Sequence, residues 1–481
     1  MSVTNSDDPA DGATSTLEDV QDAEAPCSFI TPIGYSDSSD CGYCRRTRAG
    51  FSYYASTASM TPGFYQKLLD RCWRRSGSLL YRPDQKNACC PHYTLRLDST
   101  QFKPTKDQRQ AINRFNKYVT GDHYAKEAAR LYPRSKQDAK RRDNEFNLVE
   151  RIHEAEWKFL KTPPEPEHDF VVTLEVDKFT EEKYEVYANY QRVVHKEPPE
   201  KISMSGFRRF LCNSPLRREA KIGENGKPMR LGSYHQCYRL DGKLVAVGVL
   251  DLLPHCVSAV YFFYHEDIHE YNPGKLGALR EIALALEGGY RYWYSGYYIH
   301  TCPKMRYKMD YSPQFVLDPE TLTWDLVDNE VLALFDKFPY LSVSRHRKLL
   351  ATEGGTTSHD SPSSPSNNTD ATQRGFDLSR DMVSATEEED EDDTEEDDFL
   401  LTSNMPGIPS LAQMREVDMD SMLVRSDHAA SFFLTSDLVV WSQQDIANYP
   451  CIKSKVAELV AVVGPDLTEE FCLDFRLRHR G

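Results

Sequence analysis

The sequence predicts an α+β protein: a largely antiparallel sheet backed by helices, preceded by an N-terminal cysteine-containing unit that binds metal. Three observations carry this. Three strand-like runs lie back to back between Gly232 and Tyr264, a glycine-containing segment followed by good helix formers runs from Gly274 to Leu286, and four cysteines form two close pairs, Cys41 with Cys44 and Cys89 with Cys90.

The whole chain sets the limits. At 481 residues and 40% hydrophobic content it is long enough for two or three domains with real cores. Formal net charge is −16, but eleven acidic residues lie between Glu387 and Asp398, leaving −5 elsewhere. That balance does not exclude RNA binding through a local basic face. No apolar run is long enough to span a bilayer, so the expected compartment is intracellular, with no membrane partner. Twelve cysteines are too few for a disulfide scaffold, and clustered cysteines in a reducing compartment point to metal.

In chain order, residues 1–35 read as a polar, acidic, disordered tail. A cysteine-rich unit over 36–162 follows. The Cys41-Gly-Tyr-Cys44 turn can place two thiolates on one ion, and Cys89-Cys90 can complete a tetrahedral set. Adjacent cysteines share an ion only if the backbone between them bends, so a vicinal disulfide, or one cysteine with His92, stands as the alternative. Zinc and an iron–sulfur cluster both suit four thiolates. Arg45, Arg46, Arg48, Arg71, Arg74 and Arg75 lie among Tyr43, Phe51, Tyr53, Tyr54 and Trp73, a mixture suited to RNA or to an ordinary surface. A helix is expected over Lys106 to Tyr118. Seven cations between Lys126 and Arg142 form a tract that could follow phosphates or simply be a solvated linker.

A second unit is expected over 163–350. Phe170 to Val176 alternates as a strand, and Thr180 caps a helix carrying Tyr184, Tyr187 and Val194. Asp241-Gly242 between two apolar-rich runs is a hairpin signal, because both turn residues must accept positive φ. The third strand is Val257 to Tyr264. Gly274 and Gly277 then lead into a helix whose N-terminus could hold phosphate. Tyr292 onward is another aromatic strand, entering a loop with Lys304, Arg306 and Lys308. This meander, helix and further strand make a GNAT-like acyltransferase core. Residues 351–402 read as a disordered Ser/Pro-rich and acidic linker, and 403–481 as a helical segment whose final helix pair docks on the catalytic unit.

Several long segments in order, among them Ser-Tyr-His-Gln-Cys-Tyr-Arg-Leu-Asp-Gly-Lys-Leu from Ser233 and Gly-Tyr-Tyr-Ile-His-Thr-Cys-Pro-Lys-Met-Arg-Tyr-Lys from Gly296, resemble eukaryotic arginyl-tRNA–protein transferases. The CxxC and Cys-Cys-Pro pairs extend the resemblance. It implies arginine transfer from arginyl-tRNA to the α-amine of proteins beginning with Asp, Glu or oxidised Cys, feeding the ubiquitin–proteasome system from the cytoplasm or nucleus. It also implies zinc or an iron–sulfur cluster at the cysteines, and no coenzyme A. The resemblance covers roughly residues 36 to 340 and the C-terminal segment, departing at Glu266 to Asn272 and in the acidic linker.

The chemistry then asks for particular residues. Asp251 interrupts an apolar strand, and a carboxylate there needs a partner: the acceptor's ammonium, the donor's guanidinium, or backbone N–H groups. Asp251 and Glu281 are the catalytic candidates, with Glu281 also able to grip a guanidinium or form an ordinary surface ion pair. Alternation puts His235 and Arg239 on one face of their strand and Gln236 on the other, with Tyr234 and Gln236 toward the donor. Gly274, Gly277, Lys304, Arg306 and Lys308 complete the expected substrate contacts. Two other classes compete: an acetyl-CoA-dependent N-acyltransferase, whose phosphate loop Gly274 to Ala278 matches only in part, and a non-catalytic metal-containing RNA adaptor, which leaves the aromatic core idle.

Overall fold

The computed structural model describes residues 27–223, 226–353, 399–426 and 432–476. The expected acidic stretch and most of the expected N-terminal tail lie outside the described residues. Residues 28–35, assigned above to that tail, belong to a strand, β1 (Ser28–Ser39).

The first part of the chain continues with β2 (Gly50–Ser59), α1 (Pro62–Leu69), β3 (Arg74–Ser76), β4 (Leu79–Pro83) and β5 (Tyr93–Asp98). Three helices follow: α2 (Lys106–Leu131), α3 (Lys136–Asn144) and α4 (Leu148–His153). Next come β6 (Phe170–Val176), α5 (Glu181–Tyr190), α6 (Met204–Phe207), β7 (Glu219–Ile222), β8 (Pro228–Leu240), β9 (Lys243–Leu253) and β10 (Cys256–Tyr264). After α7 (Pro273–Gly288) the chain forms β11 (Tyr292–Tyr294), β12 (Tyr297–Tyr298), β13 (Gln314–Leu317), β14 (Trp324–Leu326), α8 (Asn329–Lys337) and α9 (Val343–Glu353). The last part holds α10 (Leu411–Met414), β15 (Leu423–Arg425), β16 (Phe433–Leu434), α11 (Ile452–Val463) and β17 (Phe471–Asp474).

These strands build two sheets. One runs in the order β16-β15-β17-β1-β2-β4-β3, and the other β14-β13-β5-β11-β10-β9-β8-β6, with β12 on β5 and β7 on β8. The protein is α+β, but its sheets do not follow the linear units. β5, from the cysteine-rich stretch, sits inside the second sheet between β13 and β11. The C-terminal segment departs from expectation as well. From Leu438 onward it forms one α-helix, α11, and the strand β17 rather than a helix pair, and it joins the first sheet: β17 lies parallel to β1, from Ser28↔Phe471 to Ile30↔Leu473. The cause is the composition of α11, which is apolar nearly all round and must be covered on every side. Trp73 and Arg82 of the first sheet's layer both donate to its Val462 carbonyl, at 3.1 and 2.7 Å.

Local signals were otherwise followed. Asp241 and Gly242 have φ of 52° and 79°, the paired positive values of a tight hairpin turn. The Thr180 side chain caps α5. α2 starts at a Thr105/Gln108 capping box and runs well past Tyr118, kinking at Gly121, where a Cβ would lie 2.5 Å from Glu167. α7 and α4 cover one face of the second sheet, packing Leu279, Ile282 and Ile152 on Leu250, Leu252 and Trp293. α5 and residues 207–211 cover the other, against Cys237, Val247, Val249 and Phe263.

Candidate active site and metal centre

The second sheet opens at one place. β10 and β11 are parallel and paired from Cys256↔Tyr292 to Ser258↔Tyr294, after which β11 ends while β10 continues to Tyr264. Ala259 to Phe262 of β10 are only partly buried, although they sit mid-sheet. A crevice therefore runs between β10 and the chain after β11, with α7 over one side.

Glu281, on α7, points into this region. Its Oε2 accepts a hydrogen bond from Trp293 Nε1 at 2.8 Å, and no cation partners it among the described residues. The side chain is 3% exposed, and burial pushes its carboxyl up to about 7, against the Trp293 bond. A surface ion pair, one of the readings above, is thus replaced by an interior carboxylate. Its Oε1 lies 3.6 Å from where a Cβ on Gly248 of β9 would sit.

Lys308 is buried too, donating to the Tyr297 carbonyl at 2.5 Å. Burial and the neighbouring Arg74 guanidinium pull its amine down to about 7. Lys304 and Arg306, in the same turn, are exposed. Only those two remain suited to phosphate, so the expected cluster of three divides.

Asp251 does not reach the crevice. It is 0% exposed, and Arg75 of β3 grips it with Nε on Oδ2 at 2.8 Å and Nη2 on Oδ1 at 2.5 Å. Ser233, opposite it on β8, donates to Oδ1 and accepts from Arg75 Nη2 at 2.7 Å. This corrects the sequence expectation: the partner that Asp251 needs is a buried arginine of the protein itself. Arg74 and Arg75 leave the proposed RNA-facing cluster for the same reason, and Arg71 pairs with Asp466 at 2.6 Å.

On β8 the predicted alternation holds. Tyr234 and Tyr238 pack among residues of the α7 side, and Gln236 lies 3.9 Å from the same Gly248 position that faces Glu281. His235 and Arg239 face α5 instead and are removed from the crevice. His235 hydrogen-bonds the Leu211 carbonyl at 2.9 Å, with its pKa lowered to about 4 by burial, and Arg239 pairs with Glu182 at 2.6 Å. Gly274 and Gly277 form no phosphate loop, because α7 already begins at Pro273. The second permits close packing, since a Cβ there would come within 2.4 Å of Phe262. In the Lys126 to Arg142 tract, Arg130, Arg134, Arg141 and Arg142 face Glu127, Glu154 or Glu150, the behaviour of a solvated charged surface.

The four cysteines converge. The Sγ atoms of Cys41, Cys44, Cys89 and Cys90 all lie within 4.8 Å of one another, and all four are free thiols. Tetrahedral zinc with bonds of ~2.3 Å spaces its sulfurs ~3.8 Å apart, so the residues fit such an ion. Hydrogen bonding with Cys90 draws Cys41 down to about 4, toward the ligating thiolate. His92 is not in the set; its buried ring packs edge-on against Tyr43 and Tyr297 at 4.9 and 5.3 Å.

Sequence reasoning missed Arg75 and Trp293, the groups that hold the two key carboxylates. Arg75 is 176 residues from Asp251, and no local pattern joins them. Trp293 carried a signal, an indole N–H in an apolar strand that needs an acceptor when buried.

Comparison with known proteins shows what the chain is similar to. The family described as arginine-tRNA-protein transferase, N terminus, matches residues 39–110, including all four cysteines, and its C-terminus counterpart matches 182–318, including Glu281 and Lys308. The chain belongs to this transferase family. Arginyl-tRNA–protein transferase 2 of Arabidopsis thaliana is 27% identical, over 67% of this chain and 78% of its own. Arginyl-tRNA–protein transferase 1 of Saccharomyces cerevisiae is 33% identical, over 53% of this chain and 48% of its own, so the match spans about half the yeast protein. An aspartate/glutamate leucyltransferase of Pseudomonas fluorescens is 27% identical over 57% of this chain and 88% of its own. The protein is an aminoacyltransferase of the kind that moves an amino acid from tRNA to protein.

Proposed function

We propose that this transferase moves arginine from arginyl-tRNA to the α-amine of proteins beginning with Asp, Glu or oxidised Cys, marking them for ubiquitin-dependent degradation in the cytoplasm or nucleus. One observation supports it above the others. Where β10 and β11 part, the protein holds a buried carboxylate, Glu281, with no cation partner among the described residues, and a buried amine, Lys308, with no carboxylate partner among them. A cationic donor and an anionic acceptor ask for such a pair. The leucyltransferase relative, named for aspartate and glutamate, agrees on the acceptor and differs on the donor.

The reaction is aminolysis of an ester. The acceptor nitrogen attacks the arginyl carbonyl carbon, the C–O bond to the terminal ribose breaks, and an amine proton is passed to the departing hydroxyl. The amine's pKa is roughly 7.7 to 8, so much of it is neutral and no strong base is needed. Alignment and oxyanion stabilisation remain. The edge of β10 past Ser258, where its pairing with β11 ends, would receive the acyl donor, and Lys308 would answer the charge of an acidic acceptor side chain. Exposed Lys304 and Arg306 suit acceptor-stem phosphates. At the metal centre, Cys41, Cys44, Cys89 and Cys90 would hold zinc or an iron–sulfur cluster, the close sulfur spacing favouring one ion. A metal held there would cross-link two chain segments that are distant in sequence.

The test is transfer of labelled arginine from charged tRNA to peptides starting with Asp, Glu, Ala and Lys. Transfer confined to Asp and Glu is expected. Equal labelling of the Ala peptide would overturn the acceptor assignment, and no labelling would overturn the reaction.

A further inference from the structure

We propose that Glu281, buried under α7 beside Gly248 of β9, Phe262 of β10 and Trp293 of β11, is the receptor for the donor's guanidinium. The proposal rests on the arginine-transfer reading and adds the residue that selects arginine.

The carboxylate is oriented but unsatisfied. Trp293 fixes Oε2, while Oε1 takes no hydrogen bond among the described residues and looks across the bare backbone of Gly248. Gly248 matters because its missing side chain leaves room in front of Oε1, bounded by Phe262 at 3.6 Å and Gln236 at 3.9 Å from the Cβ position. Gln236 is itself held, accepting from Tyr238 Oη at 2.7 Å. On the far side Trp293 packs on Tyr311, ring centres 5.3 Å apart, and exposed Tyr307 stands close enough to feel the carboxylate's charge.

Among the described residues no cation is placed to answer it. The neighbouring Arg280 is turned away, bonded to Glu156 and, at 2.6 Å, to the Ile152 carbonyl. A buried carboxylate without a cation is unfavourable, which argues that the cation arrives with the substrate. Burial raises this carboxyl to about 7, in keeping with that.

The surroundings choose the kind of cation. A guanidinium is planar, weakly hydrated, and stacks on aromatic faces while bonding a carboxylate edge-on, and this crevice offers flat rings beside one free oxygen. An ammonium prefers to keep its water. The acceptor's α-amine, moreover, must stand at the ester carbonyl, not in a side-chain pocket.

The experiment compares Nα-acetyl-arginine amide with Nα-acetyl-citrulline amide, its uncharged isostere, binding the purified full chain by calorimetry. Wild type should prefer arginine. Glu281→Gln keeps the shape and an acceptor for Trp293, and should weaken arginine by about 10- to 100-fold while leaving citrulline unchanged. Gly248→Ala, which fills the space before Oε1 without touching the charge and meets its neighbours at ordinary contact distance, should also weaken arginine. It provides the test if the Gln variant does not fold. Retained preference for arginine in both folded variants overturns the pocket, as does a fall in kcat with unchanged arginine affinity. If wild type transfers arginine but the variants keep their preference, only the pocket fails; if wild type transfers none, the parent reading fails with it.

Discussion

Replacing Asp251 by Asn should cost stability rather than chemistry. The carboxylate and Arg75 are both buried, with side chains 0% and 3% exposed, and they join β9 of the second sheet to β3 of the first. In Asp251→Asn the guanidinium stays buried with Ser233 and, at 3.4 Å, the Gly77 carbonyl as its neighbours. Removing one member of a buried pair costs about 3–5 kcal/mol. At about 2 °C per kcal/mol, a reasonable figure for a large cooperative unit, Tm should fall by about 6–10 °C. Arg75→Met with Asp251→Leu removes both charges and should recover much of the loss, because no uncompensated charge is left. The assay is thermal and urea unfolding of the three proteins, with arginine transfer measured well below Tm. Transfer by the folded Asn variant should stay within a few-fold of wild type. An Asn variant of unchanged Tm whose kcat/KM falls ~10²-fold would refute this reasoning, since that is the range of a lost acid, base or charge contact at the reacting groups.

Burial holds Glu281 protonated in the free protein up to about pH 7, so the stability this gives is full below the ordinary carboxyl range and is lost as pH rises through 7. A guanidinium needs the ionised form. Nα-acetyl-arginine amide should therefore bind about tenfold more tightly at pH 8 than at pH 6, where only ~9% of a group of pKa ~7 is ionised. Tyr238, Trp293, Tyr307 and Tyr311 face Glu281 without titrating between those values, and Arg280 on its own helix stays charged; a flat profile would mean that the ligand sits elsewhere. Protein purified without oxygen should carry zinc, or iron with sulfide, and Cys89→Ala should lose it; metal-free wild type with full activity would sink the metal assignment. Neutralising Lys304 and Arg306 should flatten the salt dependence of tRNA binding by up to about two phosphate contacts, while Lys308→Met leaves the slope alone. A slope changed by Lys308 alone would place that buried amine on the RNA.

Much of this was legible in the chain. The Asp241-Gly242 hairpin, the third strand, the helix after it and the alternation of Tyr234 and Gln236 against His235 and Arg239 follow from turn chemistry and from periods of 2 and 3.6, which depend on neighbours in sequence. The four cysteines were legible for a related reason, because a thiol pair in a short turn carries its ligand geometry with it. Family-resembling segments around the hairpin and before Lys308 identified the transferase. What a charged residue does, however, depends on what lies across from it. Asp251 reads as a carboxylate in an apolar strand and Glu281 as one near a helix start able to form a surface ion pair, and only the packing decides between them: one meets Arg75 from another sheet, the other meets an indole and the bare backbone of Gly248. Lys308 and Lys304 likewise look alike in one turn, until burial removes the first from solvent. The pairing of β17 with β1, across nearly the whole chain, belongs to the same class. Sequence determines local geometry because its causes are local, whereas partners of buried charges and sheet neighbours arise from contacts hundreds of residues apart, which only the tertiary structure decides.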